Sequence, residues 1–185
     1  MTFTAEPLPE LPDVWLITPR VFSDERGDFL ETWQVENFRD IGIDVAFVQD
    51  NQSSSRRGVL RGLHYQLPPH AQAKLVRAAA GEMFDVAVDV RRSSPTFGRW
   101  AGRILSDTTH QMVWIPEGFA HGYVSLTDHT IVAYKASTLY AAEAERTIRW
   151  DDPEIGIEWP DLGAGPILSL KDANASALAD ADIFP

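Results

Sequence analysis

Between Gly58 and Lys74 the chain reads Gly-Val-Leu-Arg-Gly-Leu-His-Tyr-Gln and then, after a proline turn, lysine. Arg61, His64 and Lys74 thus put a guanidinium, an imidazole and an ammonium on or just after an otherwise apolar, strand-like run. A core strand would leave these groups buried and unpaired, at a cost of several kcal/mol each, so their company points to a ligand. Strand alternation sends Leu60, Gly62, His64 and Gln66 to one face and Val59, Arg61, Leu63 and Tyr65 to the other, which parts Arg61 from His64. A β-bulge at Gly62 would aim both the same way, and glycine inside a strand is where bulges occur, so a bulge is predicted there. Taken singly, Arg61 reads as a surface residue and His64 as a core histidine with its hydrogen bonds made.

Other groups with chemical potential lie further on. Asp85, Ala87 and Asp89 share a face opposite Val86, Val88 and Val90. The valine face is core, and the aspartate face is either solvent or a polar barrel interior, with Arg91 as a partner for one carboxylate. His121 emerges from the turn Pro116-Glu-Gly-Phe-Ala. Tyr134 and Tyr140 bracket Lys135, and a lone buried tyrosine such as Tyr134 is ordinarily core with one hydrogen bond. Lys171-Asp172 follows an apolar run, where a buried carboxylate needs a partner such as an imidazole.

The elements that must position these groups are mostly strands. Residues 59–66, 73–79, 83–90, 99–105, 111–115, 121–126 and 130–137 read as strands, broken by Pro68-Pro69, Gly81, Ser93-Ser94-Pro95, Ser106-Asp107, Pro116-Glu117-Gly118 and Thr127-Asp128. A strand every ten residues or so, each ended by turn residues, is the mark of an all-β sandwich or barrel. Before this array, residues 1–12 carry three prolines and read as an irregular arm, and Val14–Thr18 as a short strand. Residues 21–29 read as a strand end, a charged turn and a new strand. Gln34 to Ile41 has helical spacing, Ala46 to Asp50 returns to strand, and Asn51 to Gly58 is a polar loop. Past the array, Arg146 to Asp151 is a further strand candidate, and Asp172 is placed to cap a short helix through Ala179.

Composition narrows the choices. The 185 residues fit one domain, 44% are hydrophobic, and there are no cysteines, which removes disulfides, thiolate catalysis and cysteine-based zinc sites. A formal net charge of -11 opposes general nucleic-acid binding, while an anionic small molecule needs only a local cationic pocket such as the Arg61–Lys74 segment. No stretch reads as a membrane span or a signal peptide, so a cytoplasmic location is expected. No glycine-rich strand-to-helix turn marks a dinucleotide fold or a P-loop.

Pro116-x-Gly118-x-x-His121 is similar to the second half of the cupin signature, a double-sheet jelly roll. Metal-binding cupins also carry a His-x-His, where this chain has His64-Tyr65-Gln66, and His70 lies beyond the Pro-Pro turn, so no metal site is assigned. The metal-free branch matches better. Asp24-x-Arg26-Gly27-x-Phe29-x-Glu31, Gln49-Asp50-Asn51, Gly58 to His64, Lys74-Leu-Val and Ser94-Pro-Thr-Phe-Gly-x-Trp100 resemble the dTDP-4-dehydrorhamnose 3,5-epimerase family. So do Pro116 to Gly122, Tyr134-Lys135, Trp150-x-Asp-Pro153 and Leu168-Ser-x-Lys-Asp172, and the likeness runs from about Val14 to Asp172. It implies a double-stranded β-helix (a cupin-like jelly roll) with a few short peripheral helices, over 1–185 as one domain.

The resemblance also implies a reaction. The substrate is a deoxythymidine diphosphate sugar with a ketone at C4, so the hydrogens at C3 and C5 are α to a carbonyl. Inversion there removes a proton from one face and returns one from the other. By resemblance His64 is the general base, Tyr134 the proton donor opposite, and Asp172 the carboxylate that orients His64 and stabilises its imidazolium. A ketone α-hydrogen is roughly a dozen pK units less acidic than imidazolium, or ~16 kcal/mol at 1.36 per unit. Most of that must come from stabilising the enolate oxygen, the task assigned to Lys74, with Arg61 on the diphosphate or sharing it. No cofactor is implied, since the ketone is the electron sink.

Arg26, Glu31, Gln49, Asp50, Asn51, His121, Glu145 and Lys171 are expected to contact nucleotide, diphosphate or sugar, and Tyr140 to pack near the sugar. Arg26 and Glu31 are expected to reach a neighbouring subunit's site, which implies a homodimer. The family often has phenylalanine where this chain has Tyr65 and Tyr123; both changes are conservative. Behind the 3,5-epimerase stand a 3-only or 5-only epimerase, a non-catalytic sugar-nucleotide-binding jelly roll and a metal-dependent cupin enzyme.

Overall fold

Two antiparallel sheets lie face to face in the computed structural model, which describes residues 2–185. The first is formed by β1 (Phe3–Leu8), β2 (Leu11–Pro19), β10 (Met112–Ile115), β7 (Lys74–Ala80), β12 (Thr130–Ala136) and β5 (Gln49–Ser55), in that spatial order. The second runs β13 (Glu145–Thr147), β6 (Leu60–Gln66), β11 (Phe119–Ser125), β8 (Glu82–Asp89) and β9 (Trp100–Ser106). A separate hairpin, β3 (Val21–Asp24) and β4 (Gly27–Leu30), stands apart from both. Helices are short and peripheral: α1 (Val35–Asp40), α2 (Leu170–Ala173) and a 3-10 turn at Leu178–Asp180. This is the all-β sandwich expected from the strand spacing, and the jelly roll that the resemblance implies.

Period-two alternation distributes the apolar residues into three layers. Val76, Ala78, Met83, Ala87, Val113, Phe119 and Val132 meet between the sheets. The opposite faces of the same strands are also covered. Leu63, Val86, Val88 and Ala120 pack under Ile148, Ile155 and Leu178 of the C-terminal segment. Leu75, Met112 and Trp114 pack under Phe38 and Ile43. The valine face of β8 is core as expected, and the aspartate face turns out to be interior as well: Asp85 and Asp89 are both buried. Asp89 is satisfied by Arg91, Ser94 and Thr96, so Arg91 is the partner anticipated for one of the two carboxylates.

Four expectations need correcting. Of the arm expected over 1–12, residue 1 lies outside the described residues, and residues 2–12 are not irregular but hold β1 and the start of β2. Their prolines are tolerated because β1 is the outermost strand, and Pro7 sits where its register with β2 shifts. The strand expected at Ala46–Asp50 begins only at Gln49, and the polar stretch after Asn51 is strand, not loop. There β5 is an edge strand, which can be serine-rich because only one side needs a partner. The last helix is capped by the side chain of Ser169, which accepts from Asp172 N–H, leaving the Asp172 carboxylate free for another role.

The predicted bulge is present. His64 pairs with His121 and Arg61 with Tyr123, so Gly62 and Leu63 together face the single residue Gly122. Gly62 has φ +138°, and a Cβ there would lie 2.5 Å from Gly122 Cα and 3.0 Å from His121 O. Gly62→Ala is therefore expected to destabilise the fold by about 3 kcal/mol or more, as both strain and backbone clash act. Urea denaturation checks this; an unchanged midpoint would show that the bulge is not held by this contact.

Candidate active site

The bulge on β6 brings Arg61 and His64 to one cavity of about 380 Å³ lined from both sheets. Arg61 stands exposed at its edge and His64 is partly buried. Asn51, Lys74, His121, Tyr134, Tyr140, Glu145, Lys171 and Asp172 line the same cavity. His64 comes from the five-stranded sheet and Tyr134 from the six-stranded one, so they occupy opposite walls.

Behind His64 lies Asp172, delivered by α2 and only 3% exposed. Its Oδ1 is 2.6 Å from His64 Nε2. Burial alone would raise the Asp172 pKa, but the hydrogen bond and charge of His64, the Ser169 hydroxyl and Lys171 lower it below the ordinary carboxylate value. An ionised carboxylate can only accept, so Nε2 carries the hydrogen and the lone pair rests on Nδ1. Burial, with Lys171 and Lys74 adding to it, lowers the His64 pKa, and Asp172 opposes the drop. The ring is thus a free base at neutral pH. Tyr134 shows the complementary state: burial first, then Tyr123 and Glu145, raise its pKa, so the phenol keeps its proton.

Lys74 is buried, and its Nζ donates to the backbone oxygen of His64 at 3.4 Å. Desolvation brings its pKa down to about 8, against the upward pull of Asp85 and Glu145. It is a cation below that value, with a desolvated charge that water does not screen. His121 faces His64 across the strands and has its own carboxylate, Asp85, at 2.7 Å from Nε2. Glu145 ties the rim together, accepting from Lys171 at 2.8 Å and from the Tyr140 hydroxyl at 3.1 Å. Among the described residues no group of three or more His, Asp or Glu side chains is arranged to hold a metal ion.

Four expected contact residues lie outside this cavity. Arg26 and Glu31 belong to the hairpin region, where Arg26 pairs with Asp24 and Glu31 accepts from Asn37. Asp50 points to the opposite face of β5 and pairs with Lys135. Gln49 acts at one remove: its side chain donates to Asn51 and accepts from Tyr140 N–H, which fixes two lining residues. Conversely, the cavity includes Gln52, Ser53, Tyr65, Gln66, Gln72, Tyr123 and Ser169. Alternation on β11, once His121 is known to face inward, identifies Tyr123 two positions on; the serines and glutamines carry no comparable signal.

Facing sheets that close on a free-base imidazole, a protonated phenol and a buried cation define a jelly-roll enzyme of proton transfer. Residues 9–180 match the family described as dTDP-4-dehydrorhamnose 3,5-epimerase. The enzyme of that name from Pseudomonas aeruginosa is 54% identical over 176 residues, 95% of this chain and 96% of its own. The one from Shigella flexneri is 53% identical over the same shares of both chains. Among solved structures, a dTDP-6-deoxy-D-glucose-3,5-epimerase from Legionella pneumophila in complex with dTDP-4-keto-L-rhamnose superposes with a TM-score of 0.93 at 45% identity, covering 97% of this chain and 95% of that one. The chain belongs to the dTDP-4-dehydrorhamnose 3,5-epimerase family.

Replacing Asp172 by Asn removes the charge that holds up the basicity of His64 against burial. The His64 pKa is then expected to fall further, read by NMR titration of its ring protons. An unchanged or higher value would contradict the dyad.

Proposed function

We propose that this chain inverts C3 and C5 of dTDP-4-dehydro-6-deoxy-D-glucose, giving dTDP-4-dehydro-L-rhamnose, as an isomerase without redox chemistry at the sugar. The observation that carries this reading is the placement of His64, backed by Asp172 at 2.6 Å, and Tyr134 on opposite walls of one cavity. Burial moves the imidazole toward its free base and the phenol toward its protonated form. Inversion needs that asymmetry, since a proton leaves one face of the ring and another arrives at the other. His64 Nδ1 takes the hydrogen α to the ketone, and Asp172 holds the resulting imidazolium by its 2.6 Å hydrogen bond. Charge moves onto the C4 oxygen, where Lys74 stabilises the enolate as a buried cation in place before the reaction. Tyr134 then protonates the carbon from the far side. Arg61, His121 and Lys171 supply donors for the diphosphate and sugar hydroxyls, and Asn51, Tyr140 and Glu145 complete the cradle.

A second copy completes the site in this reading. Phe22 and Phe29 are cross-strand partners on the β3–β4 hairpin, yet are 48% and 73% exposed. Arg26 at the hairpin turn is 86% exposed, and with Glu31 it lies away from its own cavity. Insertion of this hairpin beside the cavity of a second copy would bury the two rings and bring Arg26 to the substrate. Gln49 contributes by holding Asn51 and the Tyr140 backbone, while Asp50, on the far face of β5, stays paired with Lys135. Sedimentation equilibrium is expected to give a dimer; a monomer at assay concentrations would remove this arrangement. A cytoplasmic location is part of this reading, and no helix among the described residues is long and apolar enough to cross a membrane.

Turnover in heavy water tests the reaction. Deuterium is expected at both C3 and C5, and Tyr134→Phe or His64→Ala is expected to lower the rate about 10²–10⁴-fold. Label at one carbon only would make this a single-centre epimerase, and variants within a few-fold of wild type would make the assigned acid and base wrong.

A further inference from the structure

One wall of the cavity has no sheet to hold it. Thr138, Leu139 and Tyr140 follow the end of β12, belong to no helix or strand, and make no backbone-to-backbone hydrogen bond among the described residues. Leu139 and Tyr140 are 64% and 56% exposed. A segment of this kind ordinarily opens at little cost. Yet Tyr140 lines the cavity, and its hydroxyl donates to Glu145, the carboxylate that also accepts from Lys171.

Three glutamine side chains take the place of the missing backbone partners. Gln72 Nε2 donates to Thr138 O at 2.8 Å, and Gln66 Nε2 to Leu139 O at 3.3 Å. Gln49 Oε1 accepts from Tyr140 N–H at 2.9 Å, and Gln66 Oε1 from Ala141 N–H at 2.8 Å. Each of four consecutive residues is thus tied by one carboxamide. Gln66 is the centre of the set. It is 3% exposed and stands two residues past His64 on β6, so it fixes the rim segment to the strand of the base. Its Nε2 also donates to His70 O at 2.7 Å, an oxygen shared with the Thr138 hydroxyl at 3.1 Å. A carboxamide carries both the acceptor and the donors that these backbone groups require, whereas a carboxylate would face two carbonyl oxygens. The hold passes on through Ala141, whose carbonyl accepts from Ala144 N–H and Glu145 N–H, both at 3.1 Å, where β13 begins.

We propose that Gln66, Gln72 and Gln49 form a clamp that holds Tyr140 in its binding position before substrate arrives and so sets the affinity for the nucleotide sugar. The inference rests on the epimerase reading above. A ring whose backbone is already fixed gives its contact area to the ligand without the ordering of a loose segment. Gln66 and Gln72 are positioning residues here, since they act through Tyr140. Loss of their bonds weakens ground state and transition state alike, which raises KM and leaves kcat in place.

Steady-state kinetics of the intact protein on dTDP-4-dehydro-6-deoxy-D-glucose test the clamp, with Gln66→Met and Gln72→Met each made in wild type and in a Tyr140→Ala background. With Tyr140 present, KM is expected to rise about tenfold in Gln66→Met and about threefold in Gln72→Met, while kcat stays within about twofold. In the Tyr140→Ala background the same changes are expected to move KM by less than about twofold, because the group they position is gone. An unchanged KM in both single variants overturns the clamp. A fall in kcat as large as the fall in kcat/KM overturns it too, since the glutamines would then act on the chemistry. A KM rise undiminished in the Tyr140→Ala background also overturns it, as it would mean direct contact with the sugar. Should Gln66→Met fail to fold, Gln72→Met alone decides, because it gives up a single bond at the edge of the set. Wild type that turns over none of this sugar would remove the epimerase reading itself, a result distinct from turnover with an unmoved KM.

Discussion

Gly62 against Gly122 is the contact on which the site depends. The two backbones approach so closely that a Cβ on either residue would meet the other strand within 3 Å. That approach lets β6 fit two residues opposite one, and the extra residue turns Arg61 to the side that His64 already faces. Without it, period-two alternation would aim one of the two at the outer apolar layer, where Leu63 and Tyr65 now sit. The same strand pairing sets His64 opposite His121, so one constraint on the backbone fixes three of the groups around the cavity.

Burial then does the chemical tuning. Each principal group has a pKa moved mainly by desolvation, and the direction suits the proposed role. The imidazole is pushed toward its free base, the phenol toward its protonated form, and the lysine toward neutrality without reaching it. Carboxylates limit these shifts: Asp172 for His64, Asp85 and Glu145 for Lys74. The sandwich can tolerate such a polar cavity because its other layers are closed by apolar residues, with the C-terminal segment covering one sheet and the α1 region the other.

Much of this was legible in the residues. The central strands could be read from turn residues at regular intervals, and the bulge from a glycine inside an apolar run with cations on both faces. The buried Asp172 was recognisable as needing an imidazole. The N-terminal strands and β5 were not, because proline and serine runs look like loops unless their edge position is known, and edge position is a tertiary fact. Arg26, Glu31, Gln49 and Asp50 are marked by resemblance alone; no spacing rule brings a hairpin turn or the far face of an edge strand to a cavity. Tyr123 could have been found from His121 by alternation, but only with the inward face of β11 already known.

The central proposition is that one sugar ring is held between His64 and Tyr134 with its C4 oxygen toward Lys74. A crystal structure with a dTDP-hexose that bears a hydroxyl in place of the C4 ketone tests it most directly. The ring is expected inside the cavity, with His64 Nδ1 on the face of the C3 and C5 hydrogens, the Tyr134 hydroxyl on the other face, and the C4 oxygen within hydrogen-bond distance of Lys74 Nζ. A ring with both groups on the same face, or with C4 turned away from Lys74, would contradict it.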